Sequence, residues 1–205
     1  MTIKAVLTGD LIHSQHSHDT LAYIEGLAAV LATLSERYGA SAETFRGDGF
    51  QLVLGQPALA FDCALALRAG LIAASPKGER WDARVAIGLG TAQADQGYGE
   101  VFVLSGQGLD SMKKSTLGVF SSDGQFLERT ELVTEFVGAI IEQWTQVEAQ
   151  TYGVHLTSQG DQSSTAHYLG KSRVTVNKAL QRAQARLLDR FLERTHQWIE
   201  ELQHG

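Results

Sequence analysis

The chain has 205 residues, of which 43% are hydrophobic and 20% are charged, and its formal net charge is −6. This composition is typical of a globular protein with space for one large and one small domain, and it argues against a disordered or low-complexity chain. The charge is uneven, because residues 157–190 hold six basic and two acidic residues, and such a basic module favours a local contact with DNA.

Cys63 is the only cysteine and lies in the apolar run Ala58–Leu67. No intrachain disulfide can form, and the apolar context predicts a buried, inert thiol in a reducing compartment. The N-terminal stretch is interrupted too early by Asp10 to act as a signal peptide, and no apolar stretch approaches the roughly 20 residues that span a membrane. We therefore expect a cytoplasmic protein.

The spacing of apolar residues predicts alternating strands and helices in the first 123 residues. In chain order, the predicted elements are a strand at Ile3–Thr8, a helix from Asp19 to Tyr38, strands at Ala42–Arg46 and Phe50–Leu54, a helix from Pro57 to Ala74, a strand at Arg84–Leu89, a helix at Leu104–Met112 and a strand at Leu117–Phe120. The order β-α-β-β-α-β predicts an α+β fold with a ferredoxin-like, split βαβ sheet that has its helices on one face.

Only helices are predicted after residue 123, with Phe126–Gln150 as one helical stretch. Glycines and polar residues cluster in Tyr152–Gln162 and predict a boundary there. The predicted units are therefore an α/β domain at 1–123, connecting helices at 124–152, and an all-α region at 153–205. The last helix, Leu187–Leu202, has too much apolar surface for a free tail, so it packs back on the protein or pairs with a second subunit.

Residues 164–180 resemble a helix-turn-helix motif. Ala166 is small where a second helix would cross, and Gly170 permits the positive φ of a tight turn. Ser172 is a predicted N-cap of the second helix, while Val176 and Leu180 are predicted to bury against the first. This motif predicts a unit that binds double-stranded DNA, usually as a homodimer.

The predicted second helix carries polar and cationic groups that suit phosphates and base edges. The predicted DNA-binding residues are Lys171, Ser172, Arg173, Thr175, Asn177, Lys178 and Arg182. The alternative is a surface helical hairpin whose charges are simply solvated.

Two aspartates of the first domain are predicted to meet at one edge of the sheet. Asp10 ends the first strand, and Asp48 lies in the turn between the next two strands. Two adjacent carboxylates repel each other unless a cation lies between them, and Mg²⁺ prefers oxygen ligands. Thr44, Arg46 and Asp48 would share one face of their strand, which would let Arg46 reach an anionic ligand. From spacing alone, the alternative that Asp48 is a turn residue and Asp10 a strand-end cap is favoured over a metal site.

Several segments resemble the SatD family, whose bacterial members join such a domain to a C-terminal helix-turn-helix. The segments that carry this resemblance are Thr8-Gly9-Asp10-Leu11-Ile12, Phe45-Arg46-Gly47-Asp48-Gly49-Phe50-Gln51, Ala86-Ile87-Gly88-Leu89-Gly90, and Gly99-Glu100-Val101-Phe102 through Ser105-Gly106. More distantly, the first two segments are similar to class III nucleotide cyclases, in which two such aspartates bind the catalytic metals.

This second resemblance implies a Mg²⁺ site formed by Asp10, Asp48 and the Leu11 carbonyl. The residues expected to bind a nucleotide or other phosphorylated ligand beside it are Thr8, Ser14, Thr44, Arg46 and Gly47.

Four positions depart from the cyclase pattern. His13 stands where a small glycine would leave room for triphosphate, and Thr44 replaces the purine-selecting Lys or Glu. Val103 and Gln107 stand where the catalytic Asn and Arg are expected, and a glutamine carries no charge to stabilise a transferring phosphate. Cyclase activity is therefore not expected. His13, His16 and His18 are interpreted as solvated loop residues rather than as a transition-metal site.

The leading hypothesis is a DNA-binding transcriptional regulator whose cyclase-like domain senses a nucleotide or phosphorylated ligand together with Mg²⁺. Two alternatives remain open at this stage. The first is a nucleotidyl or phosphoryl transferase that uses Asp10 and Asp48, and the second is a catalytically inactive scaffold that only dimerises.

Overall fold

The computed structural model describes residues 3–92, 99–158 and 160–204. Its regular elements are β1 (Ile3–Leu11), α1 (Thr20–Tyr38), β2 (Ala40–Phe45), β3 (Gly49–Leu54), α2 (Ala60–Ala74), β4 (Ala83–Thr91), α3 (Glu100–Ser111), β5 (Leu117–Ser121), α4 (Gly124–Glu142), α5 (Gln146–Thr157), α6 (Gln162–Leu169), α7 (Arg173–Arg182) and α8 (Ala185–His204). Strands therefore stop at residue 121 in the described chain, and helices alone follow, as the sequence predicts.

Five strands form one sheet in the order β2-β3-β1-β4-β5. Strand β1 is antiparallel to both β3 and β4, and β5 is added at the edge, parallel to β4. The order of the first four strands is that of a split βαβ, ferredoxin-like sheet. The predicted α+β fold with a following helical region is confirmed.

Helices cover both faces of this sheet, so the expectation of helices on one face is wrong. Leu7 and Ile87 lie on the face that shares a hydrophobic core with α1 and α2. The opposite face is covered by α3, where Thr8 donates a hydrogen bond to Ser105 at 2.8 Å. Gly88 permits this approach, because a Cβ there would lie 2.6 Å from the Val101 carbonyl oxygen.

One segment of the described chain, Pro57–Ala74, is long and apolar enough by composition to cross a membrane. The expectation that no apolar stretch approaches this length is therefore wrong. Asp62 and Arg68 interrupt the run, but its mean hydropathy stays in the range of membrane-spanning helices. In the fold, this segment contains the core helix α2, in which Leu65 is fully buried. Cys63 is buried as predicted, and burial raises the pKa of its thiol to about 12.

The predicted helix Phe126–Gln150 is two helices. Helix α4 ends at Glu142, and α5 starts after Thr145, whose side chain accepts from the N3 amide while Glu148 accepts from the Thr145 amide. This capping box starts a new helix. The predicted boundary at residues 152–153 consequently falls inside α5, which packs against α2.

A single hydrophobic cluster runs from the sheet into the C-terminal helices. It contains Leu7 of β1, Tyr152 of α5, Leu180 of α7 and Ile199 of α8. Helix α8 contributes Phe191, whose ring meets that of Phe61 edge to face at 5.1 Å between centroids. The apolar side of α8 therefore packs back on the same chain.

Asp82 is a buried carboxylate at the start of β4 that joins several elements. Its oxygens accept from Arg68 Nε and Nη2, both at 2.8 Å, and from Arg80 Nη2 at 2.9 Å. Tyr23 donates its hydroxyl to the Asp82 carbonyl at 2.7 Å. The side chain of Arg68 is completely buried, so the two charges depend on each other for compensation.

The substitution Asp82→Ala is expected to lower the free energy of unfolding by about 3–5 kcal/mol, because it leaves the Arg68 guanidinium buried without a counter-ion. Urea denaturation followed by circular dichroism measures this. Arg129→Ala is the matched control, since it breaks the exposed Arg129–Glu201 pair and is expected to cost about 1 kcal/mol or less. Equal losses in the two variants would contradict the central role of the buried pair.

Candidate functional site

Helices α6 and α7 are joined by a tight turn at residues 170–172. Gly170 has a φ of 60°, the left-handed conformation that ends α6. The Lys171 amide donates to the Ala166 carbonyl at 3.0 Å, which satisfies the end of this helix. Ser172 then caps α7, because its hydroxyl accepts from the Thr175 amide at 3.1 Å. The turn glycine and the N-cap both stand where the sequence predicts them.

The inner sides of these two helices pack together and against α5. Ala166 of α6 is 5% exposed, so its small side chain lies within the contact. Val176 and Leu180 of α7 are buried, in agreement with the sequence prediction. Helix α5 contacts both α6 and α7, which makes a compact three-helix unit with α7 on its surface.

The outer side of α7 presents polar and cationic groups to solvent. Arg173, Thr175, Asn177 and Lys178 are all exposed. These four residues are brought together on one ten-residue helix, Arg173–Arg182. Helices of this kind can enter the major groove of DNA with their N-terminal residues near the base edges.

The other three predicted DNA-binding residues have partners within the chain. The Ser172 hydroxyl serves the cap, and Lys171 Nζ donates to Gln150 Oε1 at 3.4 Å. Arg182 Nε donates to Glu148 Oε1 at 2.6 Å and thereby ties α7 to α5. Burial acts to raise the pKa of Glu148, but hydrogen bonds from Thr145 and Arg182 outweigh it and lower that pKa.

Gly170→Ala is expected to lower the free energy of unfolding by about 1–2 kcal/mol, because an L side chain is strained at this positive φ. Gly106→Ala is the matched control: Gly106 lies within α3 with open space around its Cβ position. There the same change is expected to raise stability by about 0.5–1 kcal/mol, because alanine favours a helix. Chemical denaturation compares the two variants, and a stabilising Gly170→Ala would contradict the described turn.

The carboxylate edge, defined here by Asp10 and Asp48, lies at one end of β1 and β3. Asp10 stands opposite Gly49 on β3 and opposite Arg84 on β4. Arg84 binds both oxygens of Asp10, with Nε–Oδ1 at 2.9 Å and Nη2–Oδ2 at 2.5 Å. Its Nη1 also donates to the Met112 carbonyl at 3.0 Å, which fixes the guanidinium. Asp10 therefore already has a cation at both of its oxygens.

Asp48 lies in the turn after β2. Its carboxylate accepts from the Ser14 hydroxyl at 3.0 Å, and its carbonyl accepts from the Leu11 amide at 3.0 Å. Strand β2 ends at Phe45, and Arg46 and Gly47 have positive φ values of 55° and 86°. The period-of-two prediction that Thr44, Arg46 and Asp48 share one strand face is therefore wrong.

The donor set at this edge does not fit a resident divalent cation. A metal bound by Asp10, Asp48 and the Leu11 carbonyl would first have to displace Arg84 from Asp10. In residues 3–92, 99–158 and 160–204, no group of three or more His, Cys, Asp or Glu side chains could hold a metal ion. Sequence reasoning missed Arg84, because its position opposite Asp10 depends on the strand register.

The predicted ligand-binding residues are not gathered at one place. Thr8 is buried under α3, where its hydroxyl meets Ser105 and accepts from Gln51 Nε2 at 3.2 Å. Thr44 pairs with Phe50 across β2 and β3, so the two side chains share one face of the sheet. This is the core face, opposite the face that carries Thr8. Arg46 and Gly47 are exposed in the turn, and Ser14 is buried against Asp48.

The residues that depart from the cyclase pattern lie mainly at the surface. His13 has a φ of 56° and is exposed, so Arg84 rather than His13 occupies the space at Asp10. Val103 and Gln107 are exposed on α3. His16 and His18 are exposed as well, in agreement with their interpretation as solvated loop residues.

Addition of Mg²⁺ is expected to leave the melting temperature of the protein unchanged, because Arg84 already neutralises Asp10. Arg84→Gln removes that cation, and its melting temperature is expected to rise on addition of Mg²⁺. Arg46→Gln is the control, since it removes an exposed arginine from the neighbouring turn. A Mg²⁺-dependent rise in the unsubstituted protein that disappears in Asp10→Asn would contradict this assignment.

No protein-family model matches this chain, and no curated protein sequence matches it. Among solved structures, it is similar to the active GGEEF domain of a diguanylate cyclase from Vibrio cholerae, with 16% identity, a TM-score of 0.43, and coverage of 53% of this chain and 75% of that one. It is also similar to a dimeric guanylyl cyclase domain of the RhoGC fusion protein from the aquatic fungus Blastocladiella emersonii, with 17% identity, a TM-score of 0.46, and coverage of 63% and 85%.

A third similar structure is the guanylate cyclase domain of RhGC from Catenaria anguillulae in complex with GTP. Its identity is 17%, its TM-score is 0.46, and the match covers 63% of this chain and 82% of that one. At identities of 16–17%, these likenesses concern the fold alone and transfer neither activity nor ligand to this chain.

Proposed function

We propose that the chain binds double-stranded DNA through the outer side of α7. The observation that carries this proposal is the combination of a capped α6-turn-α7 unit with a buried inner side and an exposed outer side bearing Arg173, Thr175, Asn177 and Lys178. Guanidinium, ammonium, amide and hydroxyl groups are the donors and acceptors that proteins use on phosphates and on base edges.

The charge distribution supports the same surface. The whole chain is acidic, at −6, yet residues 157–190 hold six basic and two acidic residues. An acidic body is repelled by the phosphate backbone, so it favours contact through the locally positive helices. At the C-terminal end of α7, Glu148 pairs with Arg182 and neutralises its charge. The remaining positive charge of the helix therefore lies toward its N-terminus.

For the α/β domain, a scaffold role has more support than Mg²⁺-dependent nucleotide sensing or phosphoryl transfer. Both oxygens of Asp10 bind Arg84, and Thr8 and Thr44 lie on opposite faces of the sheet. A carboxylate already bound in this way is a poor ligand for a metal and a poor base. The domain instead supplies a rigid core on which α5 and α7 are held.

A homodimer is part of this proposal. Helix-turn-helix proteins commonly bind paired half-sites as dimers. Leu132 and Phe136 of α4 are large apolar side chains, and they are 62% and 61% exposed in the single chain. Exposed apolar side chains one helical turn apart are typical of a helix that contacts another protein.

Arg173→Ala and Lys178→Ala are expected to weaken binding to duplex DNA. Each lost phosphate contact weakens binding to any sequence and reduces the slope of log affinity against log salt by about 1. Fluorescence anisotropy with labelled random-sequence duplex, titrated at several salt concentrations, measures the affinity and this slope. Both side chains are exposed, so the variants are expected to keep the fold.

Lys113→Ala is the matched control, because it removes an exposed cation outside the C-terminal helices. It should leave DNA affinity and its salt dependence unchanged. If the Arg173→Ala/Lys178→Ala double variant binds duplex DNA as tightly as the unsubstituted protein does, α7 is not the DNA-binding helix.

A further inference from the structure

Val174 stands at the centre of the outer side of α7. The helix buries Val176, Ala179 and Leu180, and the positions opposite them include Val174 and Lys178, one turn apart. Val174 is 65% exposed, while the other exposed residues of this helix are cationic or polar. A single exposed valine is common on protein surfaces. Here it lies in the middle of the surface for which DNA binding is proposed, so its chemistry limits what that surface can recognise.

Val174 also lies at the end of the helix that would approach the bases. It is the second residue of α7, directly after Arg173. Ser172 fixes the first turn of the helix, because its hydroxyl accepts from the Thr175 amide. In helix-turn-helix proteins, the N-terminal residues of the second helix contact base edges in the major groove. A valine at this position would therefore meet a base edge.

The side chain of valine restricts which base it can favour. It has no hydrogen-bond donor or acceptor, so it can match only an apolar group. The base edges in the major groove present donors and acceptors, and the apolar group among them is the C5-methyl group of thymine. Against the amino group of adenine or cytosine, or the acceptors of guanine, a valine would displace water without replacing its hydrogen bonds, which is unfavourable. The valine therefore favours thymine over the other three bases.

We propose that Val174 selects a thymine in the DNA site by packing against its C5-methyl group. This inference rests on the proposed function, because it concerns the base that the outer side of α7 reads. Arg173 and Lys178 are exposed on the same helix, and their cationic groups suit phosphates or the acceptors of guanine. The positive charge attracts the helix to DNA of any sequence, and Val174 adds a preference among sequences.

Duplexes with and without the thymine methyl group test this assignment. Random-sequence duplexes are first selected by binding to the unsubstituted full chain, and the selected pool is then copied with either dTTP or dUTP. The uracil copy lacks the methyl groups and keeps the donors and acceptors of every base pair. In fluorescence anisotropy, it is expected to bind about fourfold more weakly for each valine–methyl contact, which is the worth of one buried methyl group.

Val174→Ala is expected to abolish most of the difference between the thymine and uracil copies, because it removes the side chain that contacts the methyl group. Val103→Ala is the matched control, since it makes the same change at a 54% exposed valine on α3. This variant should keep the full difference between the two copies. Both valines are exposed, so both variants are expected to keep the fold, and their melting temperatures check this.

Two results would overturn the inference while the proposed function stands. The first is equal binding of the thymine and uracil copies, and the second is a difference between the copies that Val174→Ala leaves unchanged. If the chain binds no duplex at any salt concentration, the proposed function fails and the inference fails with it. A difference that Val174→Ala abolishes and Val103→Ala retains supports the assignment.

Discussion

The buried ion pair between Arg68 and Asp82 constrains the rest of the fold. A buried carboxylate and a buried guanidinium lose most of their hydration, and only mutual hydrogen bonding offsets that loss. Asp82 has both oxygens bound by Arg68, and Arg80 and Tyr23 complete its surroundings. Because these groups come from α1, α2 and the segment before β4, the start of β4 has one permitted position relative to both helices.

Arg80 extends this constraint into the C-terminal helices. It donates to the Ile141 and Trp144 carbonyls at the end of α4, at 3.0 and 2.6 Å. Trp144 Nε1 in turn donates to the Ala183 carbonyl at 3.1 Å, at the junction of α7 and α8. The outer side of α7 is thus oriented by a chain of hydrogen bonds that begins at the sheet. The α/β domain and the helical region share one core, so they cannot be understood as independent units.

Sequence reasoning succeeded where the signal is local and failed where it depends on strand pairing. The Gly170 turn and the Ser172 cap each follow from a few neighbouring residues, and the structure has both. The capping box of Thr145 and Glu148 was equally local and was overlooked. By contrast, Arg84 meets Asp10 only through the β1–β4 register, and no short pattern in one sequence specifies that register.

The pairing of Asp10 with Arg84 places a cation of the chain itself beside one of the two carboxylates at this edge. An arginine stays charged at any pH at which the protein is folded, and it belongs to the same chain, so it is present at a high effective concentration. A metal ion must lose part of its hydration and also compete with this tethered partner. The strand order favours a cation at the edge, but the identity of that cation is decided by the residue opposite Asp10. In this chain that residue is Arg84, so the pairing of β1 with β4 places the cation for Asp10 within the sheet itself.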